Sequence, residues 1–107
     1  MVSKLATDDR DRARRLIVLR RLYSGESQTA FAARIGVEVK RWNNVERGFP
    51  LSKEVAFQIA KAIPGMTLDW LWFGKTDGLP IKLQRELEDA GKATTAELGL
   101  PGARSRS

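Results

Sequence analysis

The stretch from Gln28 to Gly48, QTAFAARIGVEVKRWNNVERG, constrains this chain more than any other. Inward-type residues recur along it at helical spacing: Phe31, Ala32 and Ile35 before Gly36, then Val39 or Trp42 and Val45 after it. This spacing predicts two short helices, Gln28 to about Arg34 and Glu38 to about Arg47, with Ile35-Gly36-Val37 as the turn. Ser27 caps the first helix. Ala32 is small where two crossing helices approach closely. Gly36 stands where the chain must reverse, and glycine tolerates the positive φ such a turn often needs. Off the apolar stripe, the second helix carries Lys40, Arg41, Asn43 and Asn44.

Two helices joined in this way form a helix-turn-helix, a motif that lays its second helix in the major groove of DNA. The exposed residue types suit that task. Lys or Arg pairs with guanine, Asn with adenine, and an apolar side chain with a thymine methyl. The competing reading of the same residues is an ordinary solvated helix face.

Gln28, Ala32, Gly36-Val37 and Glu46-Arg47-Gly48 together resemble the helix-turn-helix of the phage repressor and Cro (Xre-type) family. Thr67-Leu68-Asp69-Trp70-Leu71 followed by Gly74 resembles the fifth helix of the same repressors. The resemblance covers roughly residues 12 to 74 and implies a lambda-repressor-like bundle. It also implies roles. Gln28, with Ser27 beside it, meets the DNA backbone and buttresses the second helix. Val39, Lys40 and Asn44 fall where the family reads bases. Arg21 near the end of helix one bridges Glu46 as a structural ion pair. The helix over 67–73 is the one through which such repressors dimerise, so a homodimer is expected there. For the aromatic cluster Trp70, Leu71, Trp72 and Phe73, the alternative is a core surface covered by the C-terminal residues.

With 107 residues and no Cys or His, the chain lacks thiol nucleophiles, histidine bases and the usual zinc ligands. No catalytic constellation is evident, so neither an enzyme nor a cofactor is expected. The lack of Cys fits a cytoplasmic protein. No run reaches membrane-span length, and MVSKLATDDRDR has no apolar signal core, so no membrane association is expected. The resemblance implies a prokaryotic or phage-encoded, DNA-associated protein. Net charge is +6, with 13 of the 19 Lys and Arg and only 8 of the 13 Asp and Glu in residues 1–74. Such a balance favours an anionic partner, most commonly nucleic acid. Arg41, Arg47 and Lys53 join Lys40 as candidates for phosphate contact.

In chain order, Thr7 is expected to cap a first helix running to about Tyr23, with Ala13, Leu16, Ile17 and Leu22 inward and Gly25 as its stop. Ser52 caps a helix from Lys53 to Ile63, with Val55, Ala56, Ile59 and Ile63 inward. Pro64-Gly65 ends it. Thr67 caps the fifth helix, with Trp70 in the core. Five helices with short links make an all-α bundle over residues 7–74. In the extension, 75–107, Pro80 to Ala90 can form a short sixth helix with Ile81, Leu83 and Leu87 as weak apolar positions, and residues 91–107 read as disordered.

The function these residues predict is sequence-specific binding of double-stranded DNA by a transcriptional regulator that reads the major groove with helix 38–47. The alternative is a protein-interaction or antitoxin-like adaptor on the same fold, its partner bound by the aromatic helix and the C-terminal extension. The operator sequence, the sign of regulation and the inducing signal are not legible in the sequence.

Overall fold

Side-chain caps open three of the helices, each placed by a hydroxyl residue that satisfies an otherwise orphaned backbone amide. Ser27 accepts from the Ala30 amide at 2.9 Å, Ser52 from Val55 at 3.2 Å and Thr67 from Trp70 at 3.1 Å. The computed structural model describes residues 2–98. It contains α1 (Val2–Ser24), α2 (Gln28–Ile35), α3 (Val39–Glu46), α4 (Lys53–Ala62), α5 (Leu68–Phe73) and α6 (Ile81–Leu98), with no strand among the described residues. The protein is a small all-α bundle.

One core runs through all six helices. Leu16 and Leu19 of α1 meet Phe31 and Ile35 of α2, Trp42 and Val45 of α3, Val55 and Ile59 of α4, Trp70 and Leu71 of α5, and Leu83 and Leu87 of α6. The helix α1 is the spine, packed against α2, α3, α5 and α6. That is why its buried face is broader than a single stripe. Ala13 and Leu16 are buried as expected, but so are Val18, Leu19 and Arg20, whereas Ile17 and Leu22 are only half-buried. The inward residues expected on α2 and α4 are all buried, as is Trp70.

Three expectations need correction. The first helix does not start at Thr7, because α1 already begins at Val2 and Thr7 lies within it. The sixth helix does not stop near Ala90. It continues to Leu98, so residues 91–98 are helical, while 99–107 lie outside the described residues. Packing against α1 supplies what composition lacks. Each buried leucine contributes about 1.5–3 kcal/mol, and most helix stability in proteins comes from such burial. Finally, Ile81 is exposed, and Leu79 in the preceding loop takes the buried place instead. The extension therefore shares the core of residues 7–74. Among the described residues, no helix is long and apolar enough to cross a membrane.

Candidate nucleic-acid interface

The turn between α2 and α3 is built around Gly36, in the left-handed conformation at φ 80°. Its amide donates to the carbonyls of Ala32 and Ala33, and the next amide, Val37, donates to Ala32 at 3.0 Å. This pattern closes the C-terminus of α2 and turns the chain sharply. A Cβ at residue 36 would sit 3.1 Å from the Gln58 amide nitrogen, so both φ and space favour glycine.

Beyond the turn, α3 buries Trp42, Val45 and Glu46. Glu46 is the hub of the site. Arg20 of α1 clamps its carboxylate with two hydrogen bonds, Nε to Oε2 and Nη2 to Oε1, both 2.9 Å. Gln28 of α2 donates to Oε1 at 2.9 Å, and the Trp42 indole N–H donates to Oε2. Trp42 itself is fully buried and tilts against Phe31, with ring centroids 4.8 Å apart. Hydrogen bonding to Glu46 raises the Arg20 guanidinium above its ordinary pKa, against the opposing effect of burial. A buried, bidentate, charge-assisted contact of this kind gives direction as well as attraction. It ties α1, α2 and α3 together at one carboxylate.

This geometry corrects the expected Arg21–Glu46 pair. Arg20 holds Glu46, while Arg21 forms an ion pair with Glu26 at 2.9 Å. The reason is angular. Arg20 lies four residues after Leu16, on the same side of α1, and the next residue is rotated by a further 100° towards the rim.

Gln28 is engaged at both ends of its amide, donating to Glu46 and accepting from Asn43 Nδ2 at 3.0 Å. It therefore braces α3 directly, and Asn43 is part of that brace. Val39, left open between an inward and an outward place, is 41% exposed, and Trp42 takes the core position. Lys40 is exposed. Asn44 is half-buried one turn further along the same side. Arg41 is exposed and bonded to Glu54 at 2.9 Å and Ser52 at 3.4 Å, linking α3 to the start of α4. Arg47 is exposed with its guanidinium 5.6 Å from the Phe49 ring centroid. Lys53 is exposed in the first turn of α4, and Ser27 is exposed at its cap. Glu38 makes no side-chain bond to the first turn of α3.

Arg12 was not among the residues expected here. Its Nη2 donates to the carbonyls of Gly48 and Phe49, both at 3.2 Å, and so fixes the loop that follows α3 to α1. No sequence signal marks it apart from its neighbours Arg10 and Arg14. Among the described residues, no group of acidic side chains is arranged to hold a metal. Comparison of the chain with protein-family models, with curated proteins and with solved structures gives no match.

Proposed function

We propose that the chain binds double-stranded DNA sequence-specifically as a transcriptional regulator, with α3 in the major groove. The observation that carries this reading is the division of α3 into two sides. Trp42, Val45 and Glu46 are locked inward, Val39, Lys40 and Arg41 stand outward, and Arg47 is exposed at the C-terminal cap of the helix. A rigidly held short helix with a basic outer side suits groove recognition, because the cost of ordering it is met before DNA arrives. The net charge of +6 and the resemblance of residues 28–48 to repressor helix-turn-helices support the same reading.

In this arrangement Lys40 and Asn44 read base edges, with Val39 against a thymine methyl. Arg41, Arg47 and Lys53 meet phosphates, joined by Ser27 and Gln28 at the start of α2. Asn43 acts through Gln28 and orients α3. To meet phosphate, Arg41 exchanges its exposed contact with Glu54, which costs under about 1 kcal/mol. A homodimer through α5 fits the same proposal. Phe73 at the end of that helix is 70% exposed and offers an apolar contact, and a two-fold dimer matches a palindromic site.

Binding is expected to weaken steeply with salt. Three phosphate-neutralising side chains per protomer, Arg41, Arg47 and Lys53, correspond to a loss of roughly fortyfold between 50 and 200 mM salt. Titration of a labelled random duplex by fluorescence anisotropy at several salt concentrations measures this. An affinity that stays flat over that range contradicts the proposal.

A further inference from the structure

A second feature of the molecule is separate from α3. An open groove of about 470 Å³ lies between α1 and α6, with Trp70 of α5 in its wall. Its walls combine apolar surface from Val18, Trp70 and Leu87 with two guanidinium groups, Arg15 and Arg85. The size falls within the range of small-molecule sites, which pair apolar walls with a few polar groups.

Arg15 is the unusual member. It is half-buried, its guanidinium lies 5.9 Å from the Trp70 ring centroid, and its Nη2 donates to the Leu71 carbonyl at 3.2 Å. Its Nε is buried without an acceptor, and it forms no ion pair among the described residues. Burial lowers its pKa, repulsion from Arg12 adds to that, and attraction to Asp11, one turn earlier on α1, opposes them without reversing the direction. A cation taken partly out of water with no carboxylate bonded to it is under-compensated, and an anion beside it restores the balance.

Gly91 gives the groove its room. It lies within α6, where glycine is less favourable than alanine by about 1 kcal/mol. A Cβ built there would meet nothing within 4 Å, so close packing does not require it. The charges define the occupant. Arg15 and Arg85 supply two positive charges and Glu88, also lining the groove, removes one. The balance is complementary to one negative charge.

We propose that this groove binds a small organic monocarboxylate, its apolar body against Trp70 and Leu87 and its carboxylate between Arg15 and Arg85. The site is independent of DNA binding and stands or falls separately.

The test uses 3-phenylpropionate as the probe and 3-phenylpropanamide as its uncharged counterpart, titrated into the full chain and followed by nitrogen-15 NMR. Saturable shifts are expected at the Gly91 and Gln84 amides and the Trp70 indole, with the amide probe about tenfold weaker or worse, since hydrogen bonds to charged groups are the stronger ones. Arg85→Gln is expected to weaken binding by about tenfold, and Gly91→Leu to abolish it by filling the groove. Arg85 is exposed and a Cβ at residue 91 meets nothing within 4 Å, so these variants decide the question even where Arg15→Gln fails to fold. Absence of saturable shifts at millimolar probe, equal affinity for the two probes, or unchanged binding by Gly91→Leu overturns the proposal.

Discussion

Glu46→Ala is expected to destabilise the protein by about 3–5 kcal/mol, because it leaves the Arg20 guanidinium buried without its carboxylate partner. The carboxylate receives hydrogen bonds from Arg20, Gln28 and the Trp42 indole, and all three lose their acceptor together. The loss is large because each donor is wholly or partly enclosed and water cannot replace the missing oxygen. Replacing both partners, Arg20→Met with Glu46→Leu, is expected to recover much of it, since apolar side chains of similar volume often substitute for a buried pair at little cost. Urea denaturation of the three proteins measures the difference. A loss below about 1 kcal/mol for Glu46→Ala would place this pair with ordinary exposed ones.

Trp42→Ala is the second large change, with an expected loss of about 3–5 kcal/mol. The indole is fully buried, rests on Phe31 and donates to Glu46, so its removal leaves both a cavity and a missing hydrogen bond. Trp42→Phe separates the two. It keeps a ring against Phe31 and omits the N–H, and about 1–2 kcal/mol is expected from that omission with the smaller ring. Combining Trp42→Ala with Glu46→Ala is expected to cost less than the two singly, because they share one bond. Thermal unfolding of the set checks this. Near-native stability of Trp42→Ala would mean that the indole is not a core anchor.

The helix-turn-helix stretch was the most legible part of the chain, for a physical reason. Ser27, Gly36, Ser52, Thr67 and Gly74 act locally. Their side chains, or lack of them, decide where a helix starts or ends with little help from distant residues. Phe31, Ala32, Ile35 and Val45 follow one helical period, so their burial could be read directly. The ambiguous pair, Val39 or Trp42, was resolved only by packing: three residues apart, both fit the stripe, and the larger indole fills the space beside Phe31.

What was misread depends on tertiary contact. Arg20 and Arg21 are adjacent and chemically identical, and only the orientation of α1 turns the first of them inward. The stripe Ala13, Leu16, Arg20 carried that information, but charge obscured it. For the end of α6, Gly91-Lys92-Ala93-Thr94-Thr95 reads as weakly structured by composition. Packing along α1 carries the helix through it, and Thr94 is fully buried. Thr7 misled in the opposite direction. It is a good cap in isolation, yet α1 begins further upstream. The groove of Arg15, Arg85 and Gly91 is assembled from residues more than sixty positions apart and left no trace in the linear pattern.

The proposed role of α3 in reading DNA is tested most directly by selecting bound sequences from random duplex DNA with the full chain and with Lys40→Ala and Gln28→Ala. An enriched motif is expected for the native chain. Lys40→Ala is expected to flatten preference at one position of that motif, corresponding to about 1–3 kcal/mol of discrimination. Gln28→Ala is expected to keep the motif while weakening binding to every sequence. Failure of any motif to emerge, or an unchanged motif with Lys40→Ala and an altered one with Gln28→Ala, would contradict the docking of α3 in the major groove.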